Sequence, residues 1–212
     1  MIVNVPQEFR MIDLGLTSGN LWANYNIGVD PTDLDNAEDW YGNYYAWGET
    51  QVKYNGYTGN NYKYRADGKY TKYVTSTGLA LGGHADGKTE LVANDDVATY
   101  TYGSDYRMPN KTDLHELIDE TDNELVSNYN GIIGLNGYKF MKKTDHSVFI
   151  FIPQAGYYYG SEITGQPGIW MWTSTLANGG TAAVSLRNNF AYDYGDDRCS
   201  GLSVRAIKYI NQ

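Results

Sequence analysis

The stretch Met11-Ile-Asp-Leu-Gly-Leu-Thr-Ser-Gly-Asn-Leu-Trp-Ala-Asn-Tyr-Asn-Ile-Gly28 is the most informative part of this chain for its fold. Its apolar residues begin in two short groups, 11–14 and 21–23, and a Ser-Gly-Asn sequence at 18–20 separates them. Glycine and asparagine readily adopt the positive-φ conformations that tight turns require. The stretch therefore predicts two short β-strands that pair as a hairpin.

The composition of the whole chain agrees with this local pattern. Its 212 residues include 21 Tyr and 24 Gly, and only 19% are charged. Tyrosine and tryptophan favour half-buried strands, while glycine, asparagine and aspartate favour the turns between them. The composition predicts a loop-rich β or α+β fold.

Charge and cysteine content disfavour several classes of function. The net charge is −9, and the basic residues are scattered, so neither nucleic acid nor an anionic membrane surface is expected as a partner. No apolar run is long enough to span a bilayer, and no membrane insertion is expected. The single cysteine, Cys199, excludes an internal disulfide and a multi-cysteine zinc site.

Two segments carry helix patterns. Residues 111–120 follow Pro109 and the N-cap residue Asn110, with Asp113 placed for a capping box and Leu114, Leu117 and Ile118 on one stripe. A shorter helix is predicted over 95–101. Residues 30–73 have no strand or helix period, and we expect long ordered loops there, held by Trp40, Tyr44, Tyr45 and Trp47.

The second half of the chain has strand patterns. Residues 131–135 and 138–141 flank Asn136-Gly137, a pair that suits a type I′ turn, so a hairpin is predicted there. Residues 147–152 are nearly all apolar, as in a central strand buried on both faces. Further strands are expected at 169–173, 182–186 and 202–207. Residues 1–10 are interpreted as an N-terminal arm, and 11–212 as one domain.

Several short motifs, in order, resemble those of the Fibrobacter succinogenes major paralogous domain family, and the resemblance covers roughly residues 12–208. After residues 13–28 they are Tyr41-Gly-Asn-Tyr-Tyr-Ala-Trp-Gly-Glu-Thr50, Asp95-Asp-Val-Ala98, Tyr106-Arg-Met-Pro109, Gly137-Tyr-Lys139, Phe151-Ile-Pro153 with Ala155-Gly156, Trp172-Thr-Ser-Thr175 and Gly201-Leu-Ser-Val-Arg205.

This family is similar to the C-type-lectin-like superfamily, which implies an α+β fold of twisted antiparallel sheets with two helices, long ordered loops and adjacent termini. Formylglycine-generating relatives use paired cysteines to bind copper. Because this chain has Cys199 alone, oxidation of that type is not expected. The three histidines are far apart in sequence and no Gly-x-Ser-x-Gly motif is present, so no catalytic residue and no cofactor are predicted.

Two motifs suggest other ligands. Gly82-Gly-His-Ala-Asp-Gly-Lys-Thr89 fits the phosphate-binding pattern G-x-x-x-x-G-K-[ST]. The preceding residues, however, are a poor core strand, and the family resemblance implies that the motif lies in a surface loop. Asp193, Asp196 and Asp197 are weak candidates for calcium ligands. Solvated loop carboxylates are the preferred interpretation, so no metal is predicted.

Aromatic residues interleaved with small polar ones are concentrated in the last third of the chain. This composition is typical of adaptable binding surfaces, and a loop over 188–198 is predicted to contact a ligand or a sister subunit. The residues assigned to that surface are Asn188, Asn189, Phe190, Tyr192, Tyr194, Asp196 and Arg198. Those assigned to the core are Trp22, Trp47, Leu114, Leu117, Trp172 and Val204.

Two functions fit these observations. The first is a component of the virion of a phage that infects Bacteroidetes, such as a head or tail fibre, a decoration protein or a receptor-binding domain. It would form a homo-oligomer and contact other virion proteins or a host-surface glycan or protein. The second is a secreted or cell-surface bacterial adhesin domain that binds glycan or protein. Residues 1–10 do not have the pattern of a signal peptide, which favours the virion.

Overall fold

The structure is a computed structural model that describes residues 8–188 and 190–209, and of residues 190–194 it describes the backbone. It is an α+β protein made mostly of sheets with two α-helices in the described part, as the sequence predicts. The helices are α1 (Val97–Tyr102) and α2 (Lys111–Glu120). The strands are β1 (Met11–Ile12), β2 (Leu21–Asn26), β3 (Tyr44–Tyr45), β4 (Arg65–Ala66), β5 (Lys69–Tyr70), β6 (Tyr106–Arg107), β7 (Thr121–Val126), β8 (Gly137–Lys142), β9 (Asp145–Pro153), β10 (Tyr157–Tyr159), β11 (Glu162–Thr164), β12 (Trp170–Leu176), β13 (Ala182–Arg187), β14 (Phe190–Asp197), β15 (Leu202–Ser203) and β16 (Arg205–Lys208).

Three sheets form the framework. Their strand orders are β1-β2-β16-β6, β14-β13-β12-β15-β3 and β7-β8-β9, and two-stranded ribbons β4-β5 and β10-β11 lie beside them. The strands pair antiparallel, except that β12 and β15 are parallel. Because β2 pairs with β16, the first long strand and the last strand of the described chain are neighbours.

The opening stretch forms the predicted hairpin. Met11 pairs with Ala23, and Ile12 pairs with Trp22. The connecting loop is held by helix α2: Glu116 accepts a hydrogen bond from the backbone N–H of Ser18 (2.6 Å), and Glu120 accepts one from Thr17 (2.7 Å). The hairpin and the main helix therefore form one unit.

Helix α2 has the predicted bounds and the predicted cap. The Asn110 side chain accepts from the Asp113 N–H (2.9 Å), and the Asp113 carboxylate accepts from the Asn110 N–H (2.7 Å). Helix α1 begins later than predicted because Asp96 is its N-cap, accepting from the N–H groups of Ala98 and Thr99. Asp95 lies before it in a 3₁₀ turn.

The prediction of a hairpin over residues 131–141 was wrong. Strand β8 pairs instead with β7, which follows helix α2 directly. Residues 128–134 contain four positive-φ residues, Asn128, Asn130, Gly131 and Gly134, so this segment is a folded loop. Strand β7 was missed because four of its six residues are exposed and its sequence, TDNELV, has no apolar alternation.

Two strand predictions need correction. Residues 147–152 lie in β9, which is an edge strand rather than a central one. Its two faces are still covered, because Ile150 and Ile152 pack in one core cluster and Phe151 packs in another. The strand predicted over 202–207 is two strands, β15 and β16, which belong to different sheets and are separated by Val204.

The core consists of three aromatic and aliphatic clusters, and the six residues assigned to it from sequence are all buried. Trp22, Leu114 and Leu117 lie in the cluster between α2 and β9. Trp47, Trp172 and Val204 lie in the largest cluster. Burial of each large apolar side chain contributes on the order of 1.5–3 kcal/mol to folding.

A buried arginine joins the two ends of this framework. Arg205 on β16 is 1% exposed. Its Nε and Nη2 donate to Asn26 Oδ1 (3.0 and 2.8 Å), and its Nη1 donates to the carbonyl oxygens of Ala23 and Asn24 (both 3.1 Å). No carboxylate among the described residues pairs with it, and burial lowers its pKa to about 9. The guanidinium remains charged at neutral pH and cross-links β2 and β16.

Replacing Arg205 by lysine tests this cross-link. Arg205→Lys keeps a cation but cannot reach all three acceptors, so buried oxygens lose their donors. We expect the free energy of unfolding to fall by about 2–4 kcal/mol, measured by urea titration with tryptophan fluorescence. Arg10→Lys, at an exposed arginine, is the matched control and should stay within about 0.5 kcal/mol of the parent. Equal stabilities of the two variants would contradict the assigned role.

Candidate functional site

The segment predicted as a binding loop, 188–198, is largely a strand. Strand β14 pairs antiparallel with β13 and forms the edge of the five-stranded sheet. Asn188 adopts φ +45° where β13 ends, and its Oδ1 accepts from the Ile169 N–H (3.2 Å). Gly195 lies against the backbone of β13, where a Cβ would be 2.4 Å from the Ala183 oxygen. The glycine, asparagine and aspartate residues suggested a loop. In the structure, Asn188 forms the turn, and Gly195 allows the backbone of β14 to lie close to that of β13.

The structure describes the side chains of only some of the residues assigned to the binding surface. Asn189 lies outside the described residues, as do the side chains of Phe190, Tyr192, Asp193 and Tyr194. Asp196 and Arg198 are buried rather than exposed. Asp196 accepts from Ser185 Oγ and forms an ion pair with Arg187. The expected surface therefore does not extend to Asp196 and Arg198, because both are part of the scaffold.

Arg198 is a second buried arginine held without a carboxylate partner among the described residues. Its Nη1 donates to the carbonyl oxygens of Tyr73 and Gly180 (both 3.0 Å), and its Nη2 donates to that of Lys72 (2.9 Å). The guanidinium lies 4.0 Å from the centroid of the Tyr70 ring, within range of a cation–π interaction. Arg198 thus fixes the loop at 70–73 against the end of β14.

The calcium candidates do not come together as a site in the described part of the chain. Asp196 is bonded to Ser185 and Arg187, Asp197 is exposed, and the Asp193 side chain is not described. No group of three or more His, Cys, Asp or Glu side chains among the described residues is placed to hold a metal ion.

The phosphate-loop-like motif lies in irregular structure. Residues 81–83 form a 3₁₀ turn, and 84–89 are exposed and belong to no helix or strand. Asp86 accepts from the backbone N–H groups of Tyr73 and Val74 (2.9 and 2.7 Å). The motif closes a loop, whereas a phosphate site would need a helix N-terminus directly after it.

A buried ionic cluster around Asp95 was not predicted. The Asp95 carboxylate accepts from the Tyr73 hydroxyl (2.6 Å) and from Lys72, and Lys63 is 3.3 Å away. Burial alone would raise the pKa of Asp95, but its hydrogen bonds and the nearby cations outweigh that effect and lower the pKa to about 2. The Tyr64 hydroxyl is buried in the same cluster without a hydrogen bond of good geometry, and burial raises its pKa.

A surface cleft was also missed. It has a volume of about 660 Å³, within the range of small-ligand pockets. One wall comes from the segment around the 3₁₀ turn Glu38–Trp40, and the other from the loop before β8. The lining residues are Asp35, Asn36, Ala37, Glu38, Tyr41, Asn130, Gly131, Ile132, Ile133 and Gly134.

Local hydrogen bonds shape both walls of the cleft. On the first wall, Asp39 accepts from the Asn36 N–H (2.8 Å), and the Trp40 indole donates to the Leu34 carbonyl (3.2 Å). On the second wall, Asn128 Oδ1 accepts from the Gly134 N–H (2.9 Å), while the Asn128 N–H donates to Asn136 (3.1 Å).

Aromatic packing joins the two walls underneath. The Tyr129 ring stacks on Phe151 with centroids 4.0 Å apart, and Trp40 contacts Tyr129 edge-on at 5.4 Å. Each such pair contributes about 0.5–1.5 kcal/mol beyond the area it buries. The walls therefore belong to one packed cluster, and the cleft is formed before any ligand arrives.

No family model, curated protein or solved structure was found to match the chain. Among the described residues, no helix is long and apolar enough to cross a membrane. The function proposed below therefore follows from the motifs and the geometry of the chain itself.

The Asp95 cluster predicts a specific pH dependence of stability. A carboxyl whose pKa is lowered by folding stabilises the folded state above its unfolded pKa, 3.8, and loses that contribution as pH falls through 2. At pH 7, Asp95→Asn should therefore be less stable than the parent by on the order of 2 kcal/mol. The difference should shrink between pH 4 and pH 2 in urea titrations.

The control for this pH effect is Asp33→Asn, at an exposed aspartate. Its stability should follow that of the parent at every pH. An Asp95→Asn difference that stays constant from pH 7 to pH 2 would show that the ionised carboxylate is not what stabilises this cluster.

Proposed function

We propose that the chain is a non-catalytic structural and binding domain with a C-type-lectin-like fold, and that it serves as a component of a phage virion. Candidate roles are a head or tail fibre, a decoration protein or a receptor-binding domain. The ordered motifs over residues 12–208 support this proposal. The adjacency of β2 and β16 is in keeping with the fold that the motifs imply.

The observation that carries the proposal is the location of three buried charged groups with displaced pKa values. Asp95, Asp96 and Arg205 are all buried. Asp96 accepts from the backbone N–H groups of Ala98, Thr99 and Met108, and burial raises its pKa. Catalytic groups with shifted pKa values usually lie in a cleft. Here these three groups are bonded to the scaffold and do not line the 660 Å³ cleft. The cleft does contain Tyr41, but burial raises the pKa of that hydroxyl, so it stays neutral at pH 7. This arrangement favours a binding function.

Strand β14 supports assembly with other subunits. It is the edge of its sheet, bonded to β13 alone among the described strands. An edge strand presents unpaired N–H and C=O groups to which a second chain can add. Symmetric oligomers are the usual state of such assemblies, and pairing through β14 would place Phe190, Tyr192 and Tyr194 in or beside the interface.

The alternative is a secreted or cell-surface bacterial adhesin domain. Both proposals place the contact with a host glycan or protein on the surface of the same scaffold. They differ in whether the isolated chain forms a symmetric oligomer.

Oligomeric state is the first test. Size-exclusion chromatography with light scattering should give a closed oligomer, and Tyr192→Lys combined with Tyr194→Lys should convert it to monomer, because like charges at an edge strand oppose pairing. Tyr100→Lys, at a tyrosine that is 63% exposed on α1, is the control and should leave the oligomer intact. A monomeric parent protein would contradict the virion proposal.

A glycan array separates the adhesin from the virion component. Saturable binding of the parent protein, lost in the Tyr192→Ala and Tyr194→Ala variants, together with a monomeric state, would favour the adhesin. An oligomer that binds no glycan on the array would count against the adhesin.

A further inference from the structure

The cleft has a lining that is chemically asymmetric. Asp35 and Glu38 lie on one wall, and Ile132 and Ile133 lie on the other. The lining contains no lysine, arginine or histidine. Its wall chemistry therefore suits a ligand that is cationic on one side and apolar on the other.

The two carboxylates are free to meet a ligand. Asp35 and Glu38 are exposed, and neither forms an ion pair or a side-chain hydrogen bond with the described residues. Asp39, the neighbour of Glu38, is by contrast in use, because it accepts a hydrogen bond from Asn36. A cation placed between the walls would gain two uncompensated partners.

The apolar wall presents a side chain that the fold does not cover. Ile133 is 90% exposed, while Ile132 beside it packs partly on the core cluster that contains Trp40 and Phe151. The loop that carries both is fixed by positive-φ residues and by Asn128. A rigid loop loses little conformational entropy when Ile133 is buried by a partner.

We propose that this cleft is the docking site for a basic peptide segment of a partner protein. One arginine or lysine side chain lies next to Asp35 and Glu38, and a neighbouring aliphatic side chain packs on Ile132 and Ile133. A peptide is favoured over a sugar because sugar rings stack on aromatic faces, whereas the apolar side chain that the cleft exposes most, Ile133, is aliphatic, and Tyr41, the aromatic residue of the lining, is only partly exposed. The inference rests on the proposed binding function and identifies the chemistry of one partner.

The probe is the short peptide acetyl-Leu-Arg-Leu-amide, and its matched control has citrulline in place of arginine, which removes the charge and keeps the shape. Binding is followed by methyl NMR on isoleucine-labelled full-length protein, a method that tolerates oligomers. Signals are assigned with Ile132→Val and Ile133→Val. Ile163, 41% exposed and outside the lining, is an internal control.

The expected result is a saturable shift of the Ile132 and Ile133 signals with the arginine peptide, while Ile163 stays unchanged. The citrulline peptide should bind at least about 5-fold more weakly, and Glu38→Gln should weaken the arginine peptide to a similar degree. Asp33→Asn, an equal loss of charge outside the lining, should bind like the parent. Binding should also weaken as salt is raised, because the interaction is between exposed charges.

Three outcomes would overturn the inference: no saturable shift of Ile132 and Ile133, equal binding of the arginine and citrulline peptides, or binding unaffected by Glu38→Gln. A parallel titration with glucosamine identifies a sugar site, and a response to glucosamine without one to the peptide would also overturn it. The oligomeric state does not depend on this cleft. Failure here with an intact oligomer would therefore leave the proposed function standing.

Discussion

Two positive charges are carried into the core on Arg198 and Arg205, and the described residues supply no carboxylate to neutralise either of them. Each guanidinium is surrounded by oxygen acceptors from segments distant in sequence: carbonyls of Lys72, Tyr73 and Gly180 around Arg198, and those of Ala23 and Asn24 with the Asn26 amide around Arg205. A guanidinium has five donors in a fixed plane. It can therefore hold loop carbonyls together where no strand ladder does so, as at Arg198, and can satisfy carbonyls beside a register shift in a ladder, as at Arg205.

Several buried tyrosines and tryptophans meet the same requirement, and this accounts for part of the unusual composition. The Tyr44 hydroxyl donates to the Ala155 carbonyl (2.7 Å), and that of Tyr62 donates to Trp47 (2.8 Å). The indoles of Trp47 and Trp172 donate to the carbonyls of Thr173 and Tyr45 (2.8 and 2.7 Å). Each ring fills core volume while its polar end satisfies a buried carbonyl of a loop or of a strand, which would otherwise cost about 1–3 kcal/mol. Much of the aromatic content therefore stabilises long loops and is not available for recognition.

These long-range bonds determine how far the sequence could predict the structure. The start of helix α2 was predicted correctly because its signals, Pro109, Asn110 and Asp113, are local. Strands β7 and β14 were missed because their sequences are polar or glycine-rich, and only pairing with β8 and β13 makes them strands. Asp196 and Arg198 were assigned to the surface because the composition of residues 188–198 is typical of an adaptable binding loop. The partner of Asp196 is Arg187, and Arg198 is bonded to the loop at 70–73. Neither partner can be predicted from the local sequence pattern.

The same division explains why the cleft was invisible from sequence and why it suits a binding role. Its walls are distant segments brought together over Trp40, Tyr129 and Phe151. Those rings are packed in the core, whereas the side chains of Asp35, Glu38 and Ile133 are exposed. Substitutions at such exposed positions usually change stability by less than about 0.5 kcal/mol. The lining can therefore change its ligand without loosening the scaffold that shapes it, because the bonds that fix the fold lie elsewhere, at Arg198, at Arg205 and in the buried aromatic rings.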